Sequence, residues 1–435
     1  MDGRLNLFQR MMLRWRQLHP YNPVHVICIP GSLDRARLRA DIGRRLELLG
    51  LTGLVIDEAR SRYRYEGGPA NVDLRVLPGG IDPLATLRAE IERQFNSPFP
   101  WGPNASPFRF FCVEAAQEFH LALAYDHFAA GGDSVALLLL GIAETYVAPE
   151  AASRVPPIER YPSTYRTVFR RHPLWGLRSV VGLPAMISRS RKAFRPSYAR
   201  PDDAYNAFTY VRLAPSQLRA LVAAGKAWGV TVNDLLMASL LRSLSPVAEA
   251  RRRAPRRREL AVASIMNVRH EFDAGARNAL SPFLASFRIA HLVPEGIGLR
   301  ELVADVHAET DRLKRNRLYL QGIVALGLSA LLWPLLSSER RHRFYPKHYP
   351  AFAGITTLNV NAVWERAGHG APRFDYLRAV PTGPLCPMVF AVTTARDVMH
   401  VGVAFRTAVF SHATVDEVAA EFVRCIQSLQ EEVPA

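Results

Sequence analysis

Cysteine is scarce in this sequence: the 435 residues include four cysteines, Cys28, Cys112, Cys386 and Cys425, which lie far apart. Without a CxxC pair the sequence lacks the usual spacing of a structural zinc site, so no metal site is expected. Isolated cysteines are typical of a protein whose thiols stay reduced, which predicts a cytoplasmic location.

The N-terminus lacks the continuous apolar segment of a signal peptide, because four arginines interrupt residues 1–17. The apolar residues Leu5, Phe8, Met12 and Trp15 recur at helical spacing. They predict a short basic amphipathic helix that either docks on the body of the protein or contacts a membrane. Zinc-finger spacing and RNA-binding aromatic motifs are missing as well, so nucleic acid is not an expected partner.

Negative charge is in short supply, with 39 Asp and Glu against 55 Lys and Arg, which gives a net charge of +16. Such an excess favours anionic partners, among them coenzyme A phosphates, an acidic carrier protein and an anionic membrane surface. The densest cluster is the six arginines within residues 251–258. This cluster is either a solvated loop or a region that recruits an anionic donor.

Charge of either sign is missing from residues 318–336, a run about as long as the ~20 residues that a membrane span needs. Gln321, Ser329 and Pro334 interrupt the run, and Pro334 is expected to break a helix there. We therefore predict a buried helix or a lipid-facing wall rather than a span. Peripheral membrane contact remains an alternative.

The sequence is rich in apolar residues, at 49%, and its strand and helix signals alternate in both halves. This pattern predicts a mixed α/β fold with an N-terminal lobe at 1–175, a C-terminal lobe at 176–435 and a Pro/Arg-rich connection around 155–205. The predicted strands are 24–29, 71–77, 108–114, 119–125, 207–213, 259–266, 281–292, 355–363, 389–394 and 400–405. The predicted helices are 32–48, 83–95, 135–146, 175–188, 216–227, 232–244, 299–313 and 414–430.

The most informative segment surrounds His127, which directly follows the predicted strand 119–125 and precedes Gly131 and Gly132. Glycines let the backbone turn tightly and let a substrate approach closely. A histidine held in such a turn can act as a general base, because its ordinary pKa lies near the working pH. The residues alone leave open a second interpretation, a structural histidine that hydrogen-bonds the turn.

Residues 126–132 resemble the His-His-x-x-x-Asp-Gly motif of the chloramphenicol-acetyltransferase-like acyltransferases. That superfamily includes nonribosomal-peptide condensation domains, wax ester synthases and polyketide-associated acyltransferases. His127 matches the second histidine and Gly132 the closing glycine, whereas Asp126 replaces the first histidine and Gly131 replaces the aspartate. Further stretches resemble the family in the same order, over roughly residues 20–430: they are Pro107–Phe110, Gly229–Asp234, Met266–Arg269 and Thr357–Val360.

The resemblance implies two lobes that form a V around a central substrate tunnel, in a protein that acts as a monomer. It implies an acyltransferase with His127 as general base, which moves an acyl group from a thioester to a small-molecule amine or alcohol. The donor would be acyl-CoA or an acyl or peptidyl carrier protein, so that CoA or 4'-phosphopantetheine arrives with the substrate and no cofactor is tightly bound. The product would be an amide or ester of bacterial secondary metabolism or lipid synthesis.

The resemblance also implies roles for residues around the histidine. Substrate binding or support of an oxyanion would fall to Gly131, Gly132, Asp133, Thr357 and Asn359. In the family the motif aspartate pairs with an arginine, which Gly131 cannot do. Either Asp133 substitutes for it, or the site is degraded and the protein binds a carrier protein or a product without chemistry.

Overall fold

The computed structural model describes residues 2–100, 105–149, 158, 164–272, 279–366 and 374–432. The helices are α1 Leu7–Trp15, α2 Arg35–Leu48, α3 Pro83–Asn96, α4 Gly132–Val147, α5 Tyr165–Arg171, α6 Pro173–Val181, α7 Leu183–Ser190, α8 Pro215–Trp228, α9 Val232–Leu244, α10 Leu299–Arg315, α11 Leu320–Leu332, α12 Ser338–His348, α13 Val360–Arg366 and α14 His412–Glu432. The strands are β1 Asp2–Arg4, β2 Val24–Pro30, β3 Leu54–Asp57, β4 Arg62–Tyr65, β5 Leu74–Pro78, β6 Phe108–Glu114, β7 Glu118–Tyr125, β8 Asn206–Leu213, β9 Leu260–Asn267, β10 Leu284–His291, β11 Ala353–Asn359, β12 Tyr376–Ala379, β13 Met388–Ala395 and β14 Val398–Arg406. This arrangement confirms the predicted mixed α/β class.

The strands of the N-terminal half form a five-stranded sheet in the order β12-β2-β7-β6-β5, in which only β5 and β6 run parallel. Its edge strand β12 comes from the far end of the chain and pairs with β2, so that Arg378 lies opposite His25. The hydrophobic core on the α4 side of this sheet also includes Trp333 and Trp364. Residues from beyond position 176 therefore complete the sheet and the core of the first half.

The second large sheet has six strands in the order β10-β9-β11-β13-β14-β8, with β11 parallel to both of its neighbours. Helices α8, α9, α10 and α14 pack together beside it, and their apolar side chains share one core with those of the sheet. A small sheet, β1-β4-β3, lies near the N-terminus. The sequence did not predict that small sheet, β12 or α12.

One predicted strand, 355–363, is wrong beyond Asn359. The chain turns into α13 there, because the Asn359 side chain accepts a hydrogen bond from the Ala362 N–H (3.3 Å) and caps the helix. Val360, Val363 and Trp364 are buried at the spacing of one helical face. The apolar residues in this segment fit a strand pattern when only the local sequence is considered, whereas their packing in the folded protein favours a helix.

The N-terminal helix α1 docks on the protein, which confirms the first of its two predicted uses. Asn6 and Gln9 form a capping box at its start. Met11, Met12 and Trp15 are buried, and the Gln9 side chain donates to the Phe128 carbonyl (3.0 Å), next to His127. Helix α1 therefore supports the motif turn.

The uncharged run 318–336 forms α11 and a short 3₁₀ turn, Trp333–Leu335, which contains Pro334 and confirms the predicted break. Of α11, only Leu320 and Ile323 are buried, so the expectation of a buried helix is wrong for most of it. Among the described residues no single helix is long and apolar enough to cross a membrane. By length and composition, one helix pair bent by 72°, Leu299–Arg315 with Leu320–Leu335, passes that test.

The arginine cluster at 251–258 is not a uniformly solvated loop. The Arg251 guanidinium is fully buried and donates to the carbonyls of Ser245 (2.8 Å), Ala248, Leu292 and Val293. These carbonyls would otherwise be buried without partners, which is unfavourable. The expectation that Arg251 belongs to a solvated loop or recruits a donor is therefore wrong. Most of the other arginines of the cluster are exposed.

Candidate active site

Two backbone carbonyls hold His127 in place. The His127 backbone N–H donates to the Tyr21 carbonyl (3.1 Å), and the ring Nδ1 lies 3.2 Å from the Ala130 carbonyl oxygen. A carbonyl can only accept, so Nδ1 carries the proton and a neutral ring leaves the lone pair on Nε2. The motif turn therefore presents Nε2 as the basic atom.

The surroundings of His127 keep the ring neutral. Burial lowers the pKa of His127 to about 4; hydrogen bonds to the Ala130 carbonyl and its own backbone oppose this shift, and the charge of Arg378 adds to it. The rings of Tyr21 and Tyr125 lie 5.0 and 5.8 Å from the imidazole. His127 is 7% exposed, so only a small part of its side chain is open to a substrate.

Asp126, which replaces the first motif histidine, anchors the turn to the end of α1. A carboxylate oxygen lies 3.1 Å from Nε of Arg16, the residue that follows the helix. Burial raises the pKa of Asp126 to about 6, although the Arg16 charge and the Phe128 N–H act in the opposite direction. Asp126 thus forms a buried ion pair with Arg16 at the end of α1.

Arg269, just after β9, occupies the space beside Gly131. A Cβ on Gly131 would lie 2.7 Å from Nη2 of Arg269, closer than side chains approach. The same nitrogen donates to the carbonyls of Ala279 (2.9 Å) and Ser281 (3.0 Å) and to the Ser134 hydroxyl (3.0 Å). An aspartate at position 131 does not fit next to this arginine without moving it.

Asp133 carries the carboxylate that pairs with Arg269. Its Oδ2 lies 3.6 Å from Nη1 of Arg269 and 3.7 Å from Nη2 of Arg366, and it accepts a hydrogen bond from Asn267 (2.8 Å). The pairing expected of the motif aspartate is therefore made from a position two residues later. Asp133 is engaged with the second half of the chain, which gives it a positioning role beside Gly132.

Arg378 brings a second buried guanidinium to the site. Its Nη2 donates to the carbonyls of Thr356 (2.8 Å) and Val392 (3.3 Å), and its Nη1 lies 3.3 Å from where a Cβ on Gly132 would be. Among the described residues no carboxylate oxygen lies within 4.0 Å of this guanidinium. Because Gly132 begins α4, the positive end of the helix dipole adds to the Arg378 charge.

His25 lies opposite Arg378 and completes the buried polar group. Its Nδ1 is 2.6 Å from the Tyr376 hydroxyl, and its Nε2 is 3.5 Å from the Tyr125 hydroxyl. Burial, together with the charge of Arg378, holds the pKa of His25 well below its usual value. The positive charge beside His127 therefore comes from Arg378 rather than from a second histidine.

The structure brings His127, Gly131, Gly132 and Asp133 together in one turn. Thr357 and Asn359 lie on β11, where both are exposed. Thr356, on the opposite face of that strand, provides the β11 contact with Arg378.

Sequence reasoning assigned no role to His25, Arg269 or Arg378. A signal was present for two of them, because each is the lone basic residue within an apolar strand, β2 for His25 and β12 for Arg378.

Among the described residues one group offers three metal-ligating atoms within 4.8 Å of one another, on Cys28, Glu118 and His120. Glu118 begins β7 whereas His127 follows its end, so the group lies about 25 Å from His127 at ~3.3 Å per strand residue. Burial raises the pKa of the Cys28 thiol, which keeps it protonated at neutral pH. This group is separate from the His127 site.

Comparison with known proteins identifies the fold. No protein-family model matches the sequence, and no curated protein matches it. The first condensation domain of the calcium-dependent antibiotic synthetase, in complex with a substrate analogue, matches with a TM-score of 0.69 at 17% identity, covering 100% of this chain and 97% of that one. The chain has the condensation-domain fold.

Two further structures with the condensation-domain fold show how widely it is used. The condensation domain of the monacolin K polyketide synthase MokA matches with a TM-score of 0.67 at 12% identity, covering 99% of this chain and 98% of that one. The X-domain from teicoplanin biosynthesis, solved in complex with OxyB, has a TM-score of 0.56 at 17% identity, with coverages of 98% and 93%. The resemblance seen in the sequence is confirmed for the fold, and the reaction has to be argued from the site residues.

We predict that Asp133→Ala lowers the free energy of unfolding by about 1–3 kcal/mol, because it leaves the buried Arg269 guanidinium without its carboxylate. Urea unfolding followed by fluorescence measures this change. The matched control is Glu301→Ala, which removes an exposed acidic residue from the first turn of α10. The control should cost at most about 1 kcal/mol, the usual effect of the helix dipole. Equal losses in both variants would contradict the pairing.

Proposed function

We propose that this protein is a condensation-type acyltransferase, which moves an acyl group from a thioester to an amine or alcohol acceptor. The observation that carries the proposal is the orientation of His127: Nδ1 donates to the Ala130 carbonyl, which leaves Nε2 as a base in a ring that is influenced by the charge of Arg378. A base next to a positively charged, partly dehydrated site is what acyl transfer requires.

In the proposed reaction, Nε2 of His127 takes the proton of the acceptor N–H or O–H as its nitrogen or oxygen attacks the thioester carbonyl carbon. The resulting tetrahedral oxyanion is stabilised by the N–H at the start of α4 and by the Arg378 guanidinium. The C–S bond then breaks, and the departing thiolate takes the proton from the imidazolium. An imidazolium in this buried site is unfavourable, so His127 returns to its neutral form in each cycle.

We propose that the donor is acyl-CoA or an acyl or peptidyl carrier protein, which brings its own 4'-phosphopantetheine arm. The net charge of +16 supports either donor, since both are anionic. The acceptor is a small amine or alcohol, and the reaction belongs to biosynthesis in the cytoplasm.

A second candidate function, binding without chemistry, is favoured by a specific observation. The motif departs from the family pattern at Asp126 and Gly131, and His127 is 7% exposed. A chain with this fold, the X-domain from teicoplanin biosynthesis, has been solved in complex with OxyB. Turnover of a thioester separates the two functions, because a binding protein shows none with any donor.

His127→Ala should reduce acyl transfer by about 10²–10⁴-fold, the usual loss on removal of a general base. Transfer is followed by intact mass, with CoA thioesters and carrier-protein thioesters in parallel against a panel of amines and alcohols. His120→Ala is the matched control, since it removes another buried histidine from β7, away from the site. Near-native turnover of His127→Ala, with its folded circular dichroism spectrum retained, would refute the assignment.

The pH profile should show a base that stays available in mild acid. Because the pKa of His127 is about 4, the ring is neutral above that pH, so its acidic limb in kcat/KM lies well below 6.5. Asp126, a buried neighbour with a pKa of about 6, titrates between these two pH values. The profile is therefore measured in the wild type and in Asp126→Asn. An acidic limb at 6.5 in the variant would contradict the burial of the base.

Arg378→Gln should lower kcat by about 10²–10³-fold, as loss of an oxyanion donor does, with a much smaller change in KM. Glutamine keeps a donor towards the Thr356 carbonyl but removes the charge. Arg378→Lys, which keeps the charge, should recover part of the rate. The control is Arg212→Gln on β8, where the arginine is exposed and lies 3.9 Å from Asp375. An equal rise in KM with an unchanged kcat would assign Arg378 to ground-state binding instead.

A further inference from the structure

Helix α6 turns an apolar stripe towards solvent. Leu174, Leu177 and Val181 recur at the spacing of one helical face, and Val180 lies beside them. All four side chains are between 53 and 72% exposed. A surface helix ordinarily packs such a stripe against the core.

The end of α11 presents a second stripe of the same kind. Leu328, Leu331 and Leu332 lie at the i, i+3, i+4 spacing of one face of α11, and Leu335 follows in the 3₁₀ turn; these side chains are between 47 and 78% exposed. Leucines at this spacing with this much exposure indicate a surface that lacks its partner.

The two stripes belong to one surface. Helices α6 and α11 pack against each other: the Arg317 guanidinium lies 3.8 Å over the Trp175 ring, and Gly182 gives room for the Gln321 side chain. Of the seventeen large apolar side chains that are exposed among the described residues, nine lie on α6, α7, α11 and the turn after α11. We call this surface, formed by residues 173–190 and 328–335, the apolar face.

Cations outnumber acidic residues near the apolar face, although Arg189 of α7 pairs with Glu309 of α10 (3.5 Å) and Arg317 pairs with Glu271. Residues 164–200 contain nine Arg and Lys and no Asp or Glu. Helix α12, which follows α11, adds Arg340, Arg341, Arg343 and Lys347 against a single acid, Glu339. An apolar centre with a basic border is typical of helices that lie in the interface of an anionic bilayer.

A second copy of this chain is a poorer occupant of the same surface. Self-association through the apolar face would bring two cationic borders together, and each chain carries a net charge of +16. An anionic lipid surface neutralises that charge and also accepts the leucines. The complementarity of charge therefore selects the bilayer.

We propose that the apolar face is a membrane-docking surface, on which α6, α7 and α11 lie in the interface of an anionic bilayer without crossing it. The surface is also near the candidate site. Helix α11 packs against α1, and Gln9 of α1 donates to the Phe128 carbonyl (3.0 Å). Docking thus places the bilayer about two helix diameters, ~20 Å, from the turn that holds His127, because α11 and α1 lie between them.

The test is co-sedimentation of the full chain with vesicles of phosphatidylcholine alone and of phosphatidylcholine and phosphatidylglycerol in equal parts. We expect binding to the mixed vesicles, at least tenfold weaker binding to phosphatidylcholine, and loss of binding at high salt. This assay needs no acyl-transfer activity, so its outcome is independent of the proposed function. A wild-type protein that is folded and does not bind the mixed vesicles overturns the proposal.

Leu177→Asp combined with Leu331→Asp should weaken vesicle binding by about a hundredfold, since each leucine that enters the interface contributes about tenfold or more. Both side chains are exposed, so the variant should keep its circular dichroism spectrum and melting temperature. The matched control is Leu48→Asp combined with Ile81→Asp, two leucine-sized residues that are as exposed but lie outside the apolar face.

Equal vesicle binding by the apolar-face variant and the control variant overturns the assignment of the surface. The proposal is also overturned if the wild type is a dimer in light scattering, the apolar-face variant alone loses that dimer, and neither protein binds vesicles. The occupant of the apolar face would then be a second copy. Selective loss of vesicle binding in the apolar-face variant supports the proposal.

Discussion

The buried guanidinium of Arg269 joins the two halves of the chain at the candidate site. It lies just after β9 in the second half of the chain, yet its partners Asp133 and Ser134 belong to the first turn of α4. The same side chain fills the space next to Gly131. A charge in this position is tolerable only with its carboxylate and carbonyl partners, so the halves must meet before the turn at His127 has its final shape.

The second connection between the halves is the pairing of β12 with β2. This pairing places Arg378 opposite His25, and the Arg378 side chain reaches the space next to Gly132. Two separate segments of the second half thus converge on residues 131–134 of the first half. The chemistry proposed for His127 depends on this convergence, because the histidine itself supplies no positive charge.

Much of the fold and the histidine could be predicted from the sequence, since both leave local patterns. Strands β6, β7 and β14 show the expected apolar runs, and a strand followed by His127 and two glycines is visible within fifteen residues. The partners of the histidine could not be predicted this way. The register between β12 and β2 joins residues that are 349 to 355 positions apart, and a four-residue strand leaves almost no periodicity. Likewise, the buried Arg251 and its exposed neighbours are the same residue type, so composition alone did not separate them.

In the proposed reaction, the burial of His127 would also affect the fate of the activated acyl group. Thioesters are open to hydrolysis, and a base that bulk solvent reached would activate water as readily as an amine. The rings of Tyr21 and Tyr125, which pack against the imidazole, would restrict the approach of that competitor. In the proposed reaction, the packing of these two tyrosines would therefore affect the ratio of transfer to wasteful hydrolysis.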